Sequence, residues 1–296
     1  MTAPTLGYIG LGNMGAPMAT RLLDWPGGLV VCDARSDALE SFTTAGARAA
    51  ATPAAVATAA DIISITVLDD AQVRDVVAGP DGILSTARPG TVVAVHSTIS
   101  DTTALDLAQQ CRSADVELID APVSGGAPGA QQGKLAVMIG GTDEAFAAVR
   151  EPFSCWAELV VHAGDVGAGT RMKLARNLLH FVSFTAASEA QRLAAASGLD
   201  IRKLGKVVRH TDAITGGAGA IMLRNTTDPV DESDVWFSIL SHVRNLGEKD
   251  LALALDLGER LDVDLPLAAR ALSELGDGLG VGPGMLSQST LPKEQP

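Results

Sequence analysis

Short apolar runs recur through the first half of the chain, at residues 6–9, 29–32, 62–67, 92–95, 117–120 and 135–139. Longer stretches of helical spacing separate them, broken by Gly27-Gly28, Gly79-Pro80 and Pro89-Gly90. Near-continuous apolar strands alternating with helices predict a parallel sheet covered on both faces, a doubly wound α/β arrangement. The Ala-rich stretch 45–60 reads as a helix and its connection on the sheet surface. After Gly164 the strand pattern fades. Residues 171–197 form a long helical pattern that is apolar on most sides, as in a helix buried within or between domains. Further helical stretches cover 201–209, 234–262 and 265–275. The expected organisation is an α/β domain over 1–164 and an all-helical domain over 165–296, with a frayed tail from Gly276.

The length of 296 residues agrees with about two domains. At 47% hydrophobic and 19% charged residues, disorder is excluded as the main state. A net charge of −13 repels nucleic-acid phosphates and anionic membranes, and no cluster of Lys and Arg with interleaved aromatics offsets it. No nucleic-acid or membrane partner is expected. The chain carries no apolar run near the ~20 residues that cross a bilayer. Its first residues lack the features of a signal peptide. The 3 cysteines are widely spaced and odd in number, which fits a reducing, cytoplasmic setting. Five histidines without ligand spacing predict no metal site.

The first informative motif is Gly10-Leu11-Gly12-Asn13-Met14-Gly15, between a strand and a helix that continues to Leu23. Glycines there permit a tight turn and close approach of a dinucleotide pyrophosphate at the helix start. Asp33 ends the second strand, where a carboxylate would bond the ribose 2′-hydroxyl of NAD and repel the 2′-phosphate of NADP. Arg35, two residues on, would instead welcome that phosphate, and a turn or N-cap role would also account for Asp33. NAD is the expected cofactor, with NADP as the alternative. The second motif, Asp120-Ala121-Pro122-Val123-Ser124-Gly125-Gly126, follows a strand. Its hydroxyl and two glycine N–H groups suit a carboxylate, although a plain glycine turn reads the same. In the third, residues 164–177, Lys173 and Asn177 stand four apart and share a helical face. A partly buried lysine suits general acid/base work, whereas taken alone it equally reads as a snorkelling surface lysine.

Taken together, these stretches resemble the β-hydroxyacid dehydrogenase family, nearest its 3-hydroxyisobutyrate dehydrogenase branch. The matching segments are 7–19, Ser97-Thr98, 120–126, Gly133 with 138–141, 164–177 and Lys249-Asp250-Leu251, in the family's order. The resemblance implies an N-terminal Rossmann domain and an all-helical C-terminal domain, and a homodimer or homotetramer. It implies Lys173 as catalytic acid/base, Asn177 as substrate holder, and Ser124, Gly125 and Gly126 as the carboxylate grip. Gly10, Gly12, Asn13, Met14, Gly15, Asp33, Leu68, Asp69, Thr98 and Lys249 would line the dinucleotide, with Asp250 pairing to its neighbour. The implied reaction oxidises a small carboxylate-bearing alcohol, best matched by 3-hydroxyisobutyrate going to methylmalonate semialdehyde in valine catabolism.

Four features depart from the family wording: Asp69-Asp70, Arg176, the segment 210–225 with Gly216 to Gly219, and the tail. The alternatives are reduction of a small semialdehyde, glyoxylate or tartronate semialdehyde, and a non-catalytic dinucleotide-binding module. A 6-phosphogluconate dehydrogenase would need a basic phosphate site absent from this tail. An imine reductase would replace Lys173.

Overall fold

The computed structural model of the chain describes residues 3–222 and 224–284. Among the described residues, nine strands form one sheet: β1 (Leu6–Ile9), β2 (Leu29–Cys32), β3 (Arg48–Ala49), β4 (Ile62–Ile65), β5 (Val92–Val95), β6 (Glu117–Asp120), β7 (Val123–Ser124), β8 (Leu135–Gly140) and β9 (Ala157–Gly164). Their order is β3-β2-β1-β4-β5-β6-β8-β7, with β9 beside β8. The first six strands are parallel. β8 runs against β6 and β7 and parallel to β9. The sheet is therefore parallel except at β8 and its neighbours, a reversal that apolar patterning does not encode.

Helices α1 (Gly15–Thr20), α2 (Asp37–Thr44), α3 (Pro53–Ala59), α4 (Asp70–Ala78), α5 (Asp101–Arg112), α6 (Gly126–Gln132) and α7 (Asp143–Phe153) connect the strands. Alternate strand residues feed two core layers. Tyr8, Val31, Ala94 and Ile119 belong to one. Ile9, Val30, Ile63, Val93 and Leu118 belong to the other. This is the period-2 consequence of burying both faces. Helix starts follow their caps: the side chains of Thr52, Asp69, Ser100 and Thr142 each accept a backbone N–H at the start of α3, α4, α5 and α7. The stretch 45–60 holds the short strand β3 as well as α3. α1 is shorter than expected. It ends at Thr20, because Arg21 and Leu22 turn back onto Met18 O and Ala19 O in three-residue steps.

Four further helices follow: α8 (Ala168–Ala196), α9 (Ile201–Thr215), α10 (Val235–Arg260) and α11 (Pro266–Gly278). The chain divides into two compact units after Asn177, inside α8. In the second unit, buried Glu189 accepts the N–H groups of Leu267 and Ala268 and so caps α11. The tail expectation needs correction. α11 continues to Gly278, and Leu279 and Val281 are buried against Val230 and Leu240. Two apolar side chains anchor this segment, so it is held through Gly284, whose N–H donates to Glu248. Residues 285–296 of the expected frayed tail lie outside the described residues. Leu178, Phe181 and Phe184 on α8 are 69%, 59% and 57% exposed in the single chain.

One buried group makes stability depend on pH. His96 is 3% exposed, with Nδ1 bonded to Ala121 O and Nε2 to Ser64 Oγ. Phe153 and Trp156 meet its ring edge to face. Burial lowers its pKa from the ordinary 6.5 to about 4. Between those values the unfolded chain takes up a proton that the folded chain refuses. Stability is therefore complete above pH 6.5 and falls as pH drops toward 4, by roughly 3 kcal/mol from this group. Urea midpoints at pH 7, 5.5 and 4.5 should show this slope, and His96→Gln should flatten it. An unchanged slope in the variant would assign the acid sensitivity elsewhere.

Candidate active site

The order β3-β2-β1-β4-β5-β6 reverses direction between β1 and β4. A crevice opens at such a switch point, outside the carboxyl ends of the strands. The chain places Gly10 after β1, Asp33 after β2, Leu68 after β4, Thr98 after β5 and Ser124 after β6, all at that end of the parallel strands.

The three glycines of the first turn have three different reasons to be glycine. Gly10 has φ +91°, and a side chain there would strike the backbone carbonyl of Thr66. At Gly15 a side chain would strike Gly10 O. Gly12 is different: a Cβ there meets no atom within 4 Å. No atom of the described residues requires glycine at position 12, so the open face is the cradle that a pyrophosphate would use. Asn13 beside it is exposed, and Met14 precedes the first turn of α1. The residues present fit a dinucleotide. Accordingly, Gly12→Val should leave the melting temperature close to wild type, as surface changes do, while weakening NAD(H) affinity by at least about tenfold. Fluorescence titration and thermal melting check both halves. Unchanged affinity would remove Gly12 from the site.

Asp33 is held in place by the turn itself. Its Oδ2 accepts Leu11 N at 2.6 Å and its Oδ1 accepts Arg35 N at 2.9 Å. Burial pushes its carboxyl up, but the Arg35 and Leu11 N–H groups and the Arg35 charge together outweigh burial and hold it below the usual range. Arg35 Nε lies 3.4 Å from the same carboxylate, so the charge that would welcome a 2′-phosphate is turned onto Asp33. Leu68 is 81% exposed. The departure at Asp69-Asp70 has a local cause. Asp69 accepts Gln72 N and Gln72 Oε1 accepts Leu68 N, a reciprocal cap on α4. Asp70 accepts Ser100 N at 3.0 Å and ties the β4 and β5 ends together. Ser97, adjacent to exposed Thr98, does the same by donating to Val67 O at 2.7 Å and accepting Val67 N at 2.9 Å.

The second and third motifs meet. Ser124 ends β7, and Gly125 and Gly126 have φ of +128° and +65°, conformations that side chains rarely adopt. Lys173, in the first turns of α8, is 8% exposed. Its Nζ donates to Val123 O at 2.6 Å and to Ser124 Oγ at 3.3 Å. Burial lowers its pKa, and the nearby charge of Arg176 lowers it further. Asn177 is half-buried one turn on, and its Oδ1 accepts Arg176 Nη1 at 3.2 Å. Lys249 and Asp250 lie on α10 of the second unit, where they pair at 3.2 Å on an exposed surface. Exposed pairs of this kind add little stability.

Asp120 has a structural part that the motif did not announce. It is fully buried at the end of β6. Its Oδ1 accepts Gly167 N and its Oδ2 accepts Thr170 N, both at 2.6 Å. Burial raises its pKa against these hydrogen bonds. The carboxylate thus fastens the start of α8 to the end of β6, four residues before Ser124. Gly140 and Gly169 make room for it: a Cβ on Gly140 would strike Asp120 Oδ1, and one on Gly169 would lie 2.6 Å from Asp120 O. A carboxylate between two glycine-bearing segments was the available signal.

Known proteins resemble this chain over most of its length. Residues 5–164 match the family described as the NAD binding domain of 6-phosphogluconate dehydrogenase. Residues 167–277 match the family described as NAD-binding of NADP-dependent 3-hydroxyisobutyrate dehydrogenase. An uncharacterized oxidoreductase of Mycobacterium tuberculosis is 62% identical over 94% of both chains. The mitochondrial 3-hydroxyisobutyrate dehydrogenase of Homo sapiens is 36% identical over 69% of this chain and 60% of its own. A putative oxidoreductase from Mycobacterium avium 104 has a crystal structure that superimposes with a TM-score of 0.90 at 55% identity, covering 95% of this chain and all of its own. The Mycobacterium tuberculosis 3-hydroxyisobutyrate dehydrogenase with L-serine gives a TM-score of 0.65 at 28% identity over 92% of each chain.

Proposed function

This chain belongs to the β-hydroxyacid dehydrogenase family as an NAD(P)-dependent oxidoreductase, and from that premise we propose that it oxidises a small 3-hydroxy acid with Lys173 as general acid/base. The observation that carries this reading is the Lys173 amine, buried and bonded to Val123 O and Ser124 Oγ at the start of the loop that continues into Gly125 and Gly126. Gly12, Asp33 and the strand ends would hold the dinucleotide, whose nicotinamide supplies hydride exchange with the carbinol carbon.

The chain's own residues account for the proton. A neutral lysine has two N–H donors and one lone pair. Val123 O and Ser124 Oγ occupy the donors, which leaves the lone pair to take the proton of the substrate hydroxyl. In the reductive direction the third N–H of the protonated amine donates to the carbonyl oxygen. Ser124, Gly125 and Gly126 bind the carboxylate, and Asn177, four residues from Lys173 on α8, orients the substrate. Asp33, held ionised with Arg35 turned onto it, favours NAD over NADP. 3-Hydroxyisobutyrate is the reference substrate.

Nicotinamide absorbance with NAD or NADP and a panel of 3-hydroxyisobutyrate, 3-hydroxypropionate, glycerate and 6-phosphogluconate tests the reading. Turnover of a 3-hydroxy acid with NAD is the expected result. Dinucleotide binding with no turnover on this panel or on semialdehydes would overturn it in favour of a binding module.

The exposed apolar side chains support a homo-oligomer. α9 buries none of its residues in the single chain, although Val207 and Ile214 on it are 60% and 72% exposed. Apolar faces of this extent are covered in solution by another surface, and a second copy supplies one. Light scattering at micromolar concentration should give a dimer or tetramer, and a monomeric mass would refute it.

A further inference from the structure

Lys173 and Arg176 stand three residues apart on α8, so their cationic ends share a side of the helix. The chain carries 35 acidic against 22 basic side chains, so counter-charges are plentiful. Arg35, Arg74, Arg88 and Arg171 each lie within ion-pair distance of an aspartate. Among the described residues, neither Lys173 nor Arg176 has a carboxylate within that distance. Arg176 is exposed, and among the described residues its side-chain hydrogen bond goes to a neutral group, Asn177 Oδ1 at 3.2 Å. Two cations on neighbouring turns with no acid between them repel each other, and an anion relieves that repulsion. The Ser124 loop accounts for one carboxylate. The Arg176 guanidinium, planar and permanently charged, matches another.

We propose that Arg176 selects substrates with a second anionic group, so that the preferred substrate is a hydroxy acid bearing two carboxylates. This rests on the reading of Lys173 and the Ser124 loop as the substrate site. Arg176 also fixes the Asn177 amide, with its oxygen toward the guanidinium and its N–H₂ left to donate.

The test compares matched acids. Steady-state kinetics with NAD would use 3-hydroxyisobutyrate and two diacids, hydroxymethylmalonate and hydroxymethylsuccinate, on the wild type, Arg176→Lys and Arg176→Asn. The better diacid should exceed the monoacid in kcat/KM by about ten- to a hundredfold, the range of a charge-assisted hydrogen bond. Arg176→Asn should bring that ratio near one, chiefly through KM, and Arg176→Lys should keep part of it. Calorimetry with two unreactive acids, methylmalonate and isobutyrate, gives a readout independent of turnover. Methylmalonate should bind more tightly, and Arg176→Asn should remove the difference. Equal losses on monoacid and diacid would reduce Arg176 to a positioning residue for Asn177 and overturn the inference. So would a loss confined to dinucleotide affinity. Turnover of monoacids without diacid preference overturns this inference alone. Arg176-dependent methylmalonate binding without any turnover supports it and overturns the oxidation reading.

Discussion

Lys173→Ala should lower kcat about 10²- to 10⁴-fold, the range of general acid/base assistance, and leave NAD(H) affinity near the wild-type value. The two halves separate because Lys173 bonds the Ser124 loop and, among the described residues, makes no hydrogen bond to the first-turn glycines. Truncation deletes the proton acceptor while Gly12 and Asp33 stay as they are. The buried amine is poorly solvated, so its loss also removes a costly group. The variant should therefore fold at least as well as expected for a lost lysine stem. The pH profile gives a second readout. Lys173 is held below the usual lysine range by burial and then by Arg176. Oxidation needs the neutral amine, so its rate should rise with pH toward a midpoint below the ordinary ~10.4. Reduction needs the protonated amine, so its rate should fall through the same midpoint. Stopped-flow single turnover in both directions checks this. Near-normal turnover in Lys173→Ala, or a profile that the substitution does not move, would sink the assignment.

The second large effect is expected at Asp120. Removing its carboxylate in Asp120→Ala orphans the buried N–H groups of Gly167 and Thr170, each accepted at 2.6 Å. An unsatisfied buried donor costs about 1–3 kcal/mol, so the total is about 2–6 kcal/mol. Asp120→Asn is no rescue, because its amide N–H₂ would face one of the same donors. Chemical denaturation should show the loss. The functional signature goes beyond stability. With the tether gone, the α8 start is free to shift against the β6 end, and a misplacement of ~1 Å costs about 10²-fold in rate. Folded Asp120→Ala, measured well below its melting temperature, should therefore show reduced kcat with nearly unchanged NAD(H) affinity. Wild-type kcat in a folded variant would make Asp120 purely structural.

Much of this protein was readable from residue order, because its signals are local. Alternating apolar runs and helical spacing specified β1, β2, β4, β5, β6 and β8, since a strand buried on both faces must be apolar throughout. Gly10, Gly12 and Gly15 could be read together because their spacing over six residues matches a dinucleotide-binding turn, two of them required by backbone sterics and the third left open. Lys173 and Asn177 shared a face by periodicity alone. The edge strands β3, β7 and β9 escaped because they are short, or exposed along much of their length, as β9 is. Asp69 read as a cofactor contact, and the local backbone also makes it the cap of α4.

What only the three-dimensional arrangement decided are contacts between residues far apart in the chain. Lys173 reaches Val123 across 50 residues, and Asp120 reaches Gly167 across 47. Burial of the amine, and with it the main lowering of its pKa, follows from that packing. The reversed direction of β8 depends on which edge the chain returns to. The bare apolar sides of α8 and α9 depend on which surfaces one chain can supply. Sequence specifies the elements through short-range sterics and periodicity, and packing assigns each polar side chain its partner. The chemistry of this site resides in those partners.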